Sequence, residues 1–492
     1  MIVKFSETDR RDPVPVSCAL ADAMMAPTHL AEIDRLDVQV LAARREGQRL
    51  CTHLNGDFMK TRLEVLRGPG HLLLIPLFLG LSACAVPRGA PPAVTVAANQ
   101  PNVVSYWNDI ANRTVLATSP VNTTPEEQRP AFFHDLASVH VAIYDAVVAI
   151  EGRYKPFAVK PKSPATGASV DAAVSAAAHG VLKVLFPNRS AQYQGAYVQR
   201  LAALPDGQAK TLGLALGREV AAEVVRLRAN DGRIVALPPY VSGTAAGQFR
   251  SANPNPVFRH FPSIKPFALE SLGQFRPAPP PALNSAAYAA AVNETRLLGG
   301  MVSAARTPEQ LEAARFHTEP PPPAITRNLG RFASSTANVA DAARLMASIY
   351  VSYVDAIGAC FEAKYHYNAW RPVSAIQMAD VDGNDATQAD VSWTPVLPTP
   401  NHPEYPAAHS CTSGSLGEAL RNYYGTPNVT FTWDSLVTGT TRAYTSIDAF
   451  NAEAGIARIH GGMHFTFSTV AGEELGRRVA QWVAARHFGR QD

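Results

Sequence analysis

Three short stretches in the C-terminal third of this 492-residue chain gather basic side chains in a fixed order. They are Lys364 with Arg371-Pro372, then Pro406-Ala407-Ala408-His409, then Arg458 with His464. Two arginines, a lysine and two histidines brought to one point would hold a tetrahedral oxyanion. The planar arginine fork matches paired oxygens, and lysine adds a compact point charge. Each stretch alone has a plainer explanation. Lys364 and Arg371 are seven residues apart, which places them on nearly the same face of one helix, as in a solvated basic helix end. His409 alone would be an ordinary helix cap, and His464 alone a packed ring beside Phe465 and Phe467. The ordered trio is far more specific than its parts.

The chemistry open to such a cluster follows from the residue types. His402-Pro403-Glu404-Tyr405-Pro406 reads as a turn, so a helix should open around Ala408 or His409. The free backbone N–H groups of a helix start bind anions without side-chain help. Gly461-Gly462 permits a tight path that brings Arg458 and His464 to one side. A neutral nitrogen of His464 would ligate a metal or attack phosphorus.

The elements that must position these groups read as helices. Residues 104–230 form a helical series. Phe133, Leu136, Val139, His140, Ile143 and Val147 share one face of a helix over Phe132–Ile150. Ala172–Leu185 and Thr211–Ala229 are alanine-rich helices, the second stopped by Asn230-Asp231-Gly232. Prolines break the pattern from 233 to 284. Helices return at 285–300 and 307–316, before the Pro320–Pro323 run. The strongest helix spans 337–369, with Val339, Ala342, Met346, Ile349, Tyr353 and Ile357 in register, and Pro372 is expected to end it. A helix near His409 and another over 469–487 complete the set. Val429–Thr432 reads as a short strand, and no internal repeat is found. The expected fold is all-α: a helical bundle with long proline-rich loops. An N-terminal half (104–284) carries the long loop, and a C-terminal half (285–492) carries the oxyanion site.

The whole chain bounds the rest. With 17% charged residues, 39 prolines and a formal charge of +3, it is globular in composition and gives no reason to expect nucleic acid as partner. Met59-Lys60-Thr61-Arg62 opens a basic segment, an apolar run spans Leu72–Leu81, and Leu81-Ser82-Ala83-Cys84 follows. That is an export signal over 59–83, too short an apolar run for a membrane span. Its end resembles the lipobox of bacterial lipoproteins. The implied protein is exported, periplasmic or on the cell envelope, held to the membrane only by a lipid on Cys84, with 84–103 as a tether. Residues 1–58 are then a mis-assigned extension, with translation beginning at Met59. Of the five cysteines, Cys18 and Cys51 fall in that extension. Cys360 and Cys411 remain as thiols near the basic clusters, where one disulfide is permitted.

Lys-x6-Arg-Pro, Pro-x-x-His and Arg-x5-His in this order resemble the vanadium-dependent haloperoxidases. Their relatives, the type 2 phosphatidic acid phosphatases and bacterial acid phosphatases, share the pattern. The likeness extends to His134–Ile150 with Tyr154-Lys155-Pro156-Phe157, to Gly247-Gln248-Phe249-Arg250 and to Lys265-Pro266-Phe267-Ala268, and so covers roughly 104–487. The haloperoxidase branch fits better than the compact phosphatases. The resemblance implies vanadate as cofactor, with hydrogen peroxide and a halide as substrates. Lys364, Arg371 and Arg458 would neutralise the vanadate oxygens, with the amide of Ala408 adding a hydrogen bond. His464 would be the one protein ligand to vanadium and His409 the acid–base group. A phosphatase acting on a phosphate ester would use His464 as nucleophile and His409 as acid, and a non-catalytic oxyanion binder would use neither. Homo-oligomers are compatible with all three. His402, seven before His409, resembles the bromide-oxidising type, or else supports the site from behind. Ala407 and Ala408 replace the family's serine and glycine; the missing hydroxyl is worth about 1–3 kcal/mol. Ala457 stands where serine is usual. Ser468 replaces an aspartate four after the ligand histidine and is expected to bond the second nitrogen of His464.

Overall fold

Serine, threonine and asparagine caps set many of the helix starts in this computed structural model, which describes residues 93–97, 101–117, 132–251 and 254–491. The expected extension 1–58, the export signal 59–83, Cys18, Cys51 and the anchor Cys84 lie outside the described residues. The described part falls within one compact unit, Pro87–Asp492. It contains thirteen α-helices and three short strands. The first half runs β1 (Val94–Thr95), α1 (Val103–Ala117), α2 (Phe132–Glu151), α3 (Val170–Leu185), α4 (Ser190–Ala202) and α5 (Gln208–Arg228). The second runs α6 (Ala286–Gly299), α7 (Pro308–Phe316), α8 (Pro321–Ser334), α9 (Val339–Tyr367), α10 (Pro372–Gln377) and α11 (Ala408–Tyr424), then β2 (Val429–Ser435), β3 (Thr440–Tyr444), α12 (Ile447–His460) and α13 (Thr466–Arg486). The expected all-α bundle is what forms.

Four details differ from the sequence reading. The proline run expected as loop opens α8, because proline at the first helical position is already held at a helical φ. Pro372 does not end the long helix. Asn368 does, in a left-handed conformation (φ 48°), its N–H donating to Lys364 O, and Pro372 instead starts α10. Arg371 is therefore not on the helix that carries Lys364. The expected tether holds β1, which pairs in parallel with β2, and β2 pairs antiparallel with β3, Phe431 opposite Tyr444. Helix α12, which delivers Arg458, was not foreseen; Ser446 caps it, accepting from Ala449 N.

A fifth difference is the largest: a structural repeat. Helices α2 and α9 lie at the centre, long and apolar enough to span a bilayer, yet 89% of each apolar window is buried inside the protein. They pack on one another, and each gathers an equivalent pair, α3 with α5 and α11 with α13. His140 of α2 stacks on Tyr350 of α9 at 4.6 Å. Five residues on, each helix carries a buried aspartate that ties down a Lys-Pro-Phe-Ala loop. Asp145 accepts from the N–H groups of Phe157, Ala158 and Val159 at 2.6–2.9 Å. Asp355 accepts from Phe267, Ala268 and Leu269 at 2.7–2.9 Å. The helix pairs match in their glycines too. A Cβ on Gly213 or Gly217 of α5 would strike Ser169 O or Ala173 O at the start of α3. A Cβ on Gly472 or Gly476 of α13 would strike Ala407 O or Cys411 O at the start of α11. Both pairs of helices touch backbone to backbone at their beginnings.

The loops are seated by distant segments. Loop 155–159 packs under the end of α13: Phe157 stacks on Phe488 at 5.3 Å, and Lys155 N donates to Gly489 O. Loop 265–269 packs under the end of α5, where Arg228 Nη2 donates to Lys265 O at 2.7 Å. The proline-rich excursion clasps the chain just after α9. Phe249 N donates to Asn368 O and Trp370 N to Gly247 O, which fixes the approach to Arg371.

Candidate oxyanion site

The three cations predicted from sequence converge, and all three are buried: Lys364 is 0% exposed, Arg458 1% and Arg371 2%. Lys364, in the last turn of α9, donates to Pro403 O and Glu404 O, both at 2.9 Å. Arg371, the residue that precedes α10, donates through Nε to His402 O at 2.7 Å and through Nη1 to Met463 O at 2.9 Å. Its Nη1 also lies 3.0 Å from His464 Nε2. Arg458, in the last turn of α12, donates to His317 O at 3.0 Å and meets Met463 Sδ. Its Nε has no partner. Gly462, at φ +75°, makes the bend that carries the chain from Arg458 round to His464.

The electrostatics are lopsided. None of the three cations forms a salt bridge among the described residues, and Glu404 is the one carboxylate acting on Lys364 and Arg371. Carbonyl oxygens orient the guanidinium and ammonium groups without cancelling their charge. Burial lowers Lys364; burial also lowers Arg371 to about 10 and Arg458 to about 9, with Arg371 repelling the latter. Burial raises Glu404, and Lys364 and Arg371 oppose the rise. Formal charges of three cations and one carboxylate give the site an excess of buried positive charge, which an anion would balance.

His464 does not rely on Ser468. Its Nδ1 lies 2.8 Å from Glu404 Oε1, which also accepts from Phe465 N at 3.1 Å. Ser468 Oγ instead donates to Glu404 O at 3.4 Å. The carboxylate thus comes from the second motif rather than from four residues after the histidine. Donation to Glu404 fixes the proton on Nδ1 and leaves the Nε2 lone pair facing the arginines. Burial, then Arg371 and Lys364, hold His464 well below the usual imidazole range, so it is neutral. Neither Asp355 nor Glu404 orients that ring: Asp355 holds the 267–269 loop and Glu404 holds His464.

Helix α11 starts where expected, with Ala407 before it and no side-chain cap on its first N–H groups. Ala408 is its first residue, so the replacement of glycine demands no positive φ. His409 follows, half-buried, its Nε2 without a partner and its pKa pushed well below 6.5 by burial and then Arg458. His402 sits behind Arg371: its ring nitrogens lie 2.9 and 3.2 Å from Arg371 Nη2, and its ring meets Phe361 edge-on. It braces the arginine. Cys360 and Cys411 are buried free thiols with their sulfurs 2.6 Å apart, joining α9 to α11 one turn before Lys364 and two residues after His409.

Sequence reasoning missed two groups. Glu404 was visible but had no register linking it to His464, since the contact is made through space. His317 and Glu453, on the other wall, belong to no motif. A cavity of about 50 Å³ lies there, lined by His409, His317, Phe316, Thr412, Trp433 and Phe450 among others.

Comparison with known proteins gives two kinds of match. Residues 344–490 match the family described as VCPO second helical-bundle domain. The first bacterial vanadium-dependent iodoperoxidase of known structure superposes with a TM-score of 0.65 at 22% identity, over 80% of this chain and 99% of that one. The apo and holo forms of a bacterial vanadium-dependent chloroperoxidase give TM-scores of 0.55 and 0.56 at 17% identity. They cover 74% and 76% of this chain, and 94% and 96% of theirs. No curated protein sequence matches.

Proposed function

We propose, from the premise that residues 344–490 belong to the VCPO helical-bundle family and that the chain has the vanadium haloperoxidase fold, that this protein is a haloperoxidase using vanadate and hydrogen peroxide to oxidise a halide. The observation that carries the reading is the buried, unbalanced charge of Lys364, Arg371 and Arg458. The residues fit the group: Arg458 Nε is orphaned, the first N–H groups of α11 lack a side-chain cap, and His464 presents a neutral nitrogen beside Arg371.

Vanadate, when bound, supplies an electrophilic centre at which peroxide is activated. The chain's own residues divide the remaining work. Lys364, Arg371 and Arg458 would neutralise the oxygens and draw electron density from them, an effect strengthened by exclusion of water. The Ala408 N–H would add a donor from the start of α11. His464 would bind through Nε2, its orientation and tautomer set by Glu404. His409, neutral at rest, would accept a proton from the incoming peroxide and return it later.

The same pocket supports a second reading, because a neutral histidine backed by a carboxylate is also a nucleophile toward phosphorus. Bromination or iodination of a phenolic dye by peroxide, arising only after vanadate is added, is expected. Phosphate release from a simple aryl phosphate, inhibited by vanadate, would replace the first reading with the second. Tight phosphate binding with neither turnover would leave an oxyanion binder. We also propose that the chain is exported and carries a lipid on Cys84; a Cys84→Ser protein that still labels with a fatty acid would overturn the anchor.

A further inference from the structure

We propose that His317, held by Glu453, is a second proton-handling residue of the site, relaying protons between His409 and the outside of the cluster. The inference rests on the haloperoxidase reading for its role and on geometry for its parts. His317 Nε2 lies 2.9 Å from Glu453 Oε1. Tyr444 donates to the same oxygen at 2.6 Å, and Arg442 donates to Oε2 at 2.7 Å. Burial works to raise Glu453, but the hydrogen bonds from His317 and Tyr444 hold it down at about 2. This carboxylate is therefore a fixed negative charge behind the ring that favours an imidazolium, working against burial and Arg458, which lower His317. The arrangement repeats that of His464 with Glu404 on the opposite wall.

Both His317 and His409 line the 50 Å³ cavity, which has room for water. Among the described residues His409 Nε2 has no partner, and its ring is held by the backbone of Glu319 rather than by a carboxylate. A proton taken by His409 has to leave again, and Arg458 opposes its staying. In the relay, the N–H bond at His409 Nε2 breaks as a cavity water gains that proton. The water's other O–H breaks as an N–H forms at His317 Nδ1. No electrons are exchanged, and the positive charge ends beside Glu453. The groups facing His317 are Glu453 and Arg458 from α12, Tyr444 and Arg442 from β3, His409 from α11, and Glu319 on the following turn. His317 has one competing duty, since its carbonyl accepts from Arg458.

The test separates the two roles. Glu453 does not line the cavity, so Glu453→Gln reaches His409 only through His317. In full-length protein with orthophosphate bound and histidine labelled with nitrogen-15, Glu453→Gln and His317→Gln are both expected to move the ring-nitrogen signals of His409. Signals that stay in place in both variants overturn the relay, whatever the reaction. With vanadate loaded, His317→Gln is expected to lower halide oxidation about a hundredfold while vanadate affinity stays within about threefold. Added imidazole should restore roughly tenfold of the loss in His317→Ala. A loss of turnover matched by an equal loss of vanadate affinity would assign His317 to support of Arg458 and overturn the proposal. Absence of halide oxidation in the unaltered protein would sink the haloperoxidase reading alone, since the nitrogen signals do not depend on turnover.

Discussion

The starts of α3 and α11 occupy matching places in the two bundles and differ in how they end their hydrogen bonds. At α3, Ser169 precedes the helix and its hydroxyl accepts from Ala172 N. At α11, Ala407 precedes the helix and no side chain caps it. Both starts are pressed against a glycine of the partner helix, Gly213 or Gly472. One bundle satisfies its helix terminus internally, and the other leaves that terminus for a ligand beside three buried cations. Under the proposed function the same scaffold gives a structural half and a chemical half, and the chemical half is the less self-satisfied of the two.

Five tests would break or sharpen this contrast. The largest effect is expected from His464→Ala, which should drop halide oxidation by on the order of a thousandfold or more, while Ser169→Ala leaves turnover unchanged. Peroxide- and vanadate-dependent dye bromination reads both; a fully active His464→Ala protein would discard the site. Next, Gly472→Ala and Gly213→Ala should each cost about 1–3 kcal/mol in urea unfolding, since each forces a helix pair apart. The sharper expectation is that Gly472→Ala alone also weakens anion binding, because the carbonyl it displaces belongs to Ala407. Equal anion affinity in both variants would remove the coupling.

Smaller effects come from the caps themselves. Ser169→Ala should cost about 1 kcal/mol of stability with anion affinity intact. Ala407→Ser should tighten oxyanion binding by about 1 kcal/mol, read by calorimetry; no gain would mean that the new hydroxyl turns inward to cap α11 as Ser169 does. The smallest effect concerns pH. Burial lowers Lys364 to about 8, so the site loses this cation as pH rises through that value. Sulfate, whose charge is constant over the range, should lose affinity as pH rises, first near 7 as Glu404 ionises and then in a step near 8 as Lys364 loses its proton. Lys364→Met should bind more weakly at neutral pH and lose that step. An unchanged step in Lys364→Met would assign the titration elsewhere.

How much of this was legible in the sequence depends on whether the cause was local. The apolar period of α9, the opening of α11 and the three basic motifs are written in neighbouring residues, and the structure assembles them as read. Arg371 was placed on the wrong element because Pro372 was taken as a terminator, when a left-handed Asn368 had already ended the helix. The partner of His464 was assigned to Ser468 by spacing, while the carboxylate arrives from Glu404 across the fold. The repeat escaped notice because it is carried by backbone contacts at small residues and by two aspartates, with the surrounding side chains largely different. Lys155-Pro156-Phe157-Ala158 and Lys265-Pro266-Phe267-Ala268 were its one visible trace.

Those two loops also bear on how the protein is made. Loop 155–159 belongs to the first bundle by sequence, yet its bed is supplied by Phe488 and Gly489, and Gln491 N donates to the neighbouring Arg153 O. A ribosome delivers those residues only after the whole chemical half has emerged. Until then Phe157 lacks its Phe488 cover, and a chain severed before Phe488 is left with an unfinished seam in its first bundle.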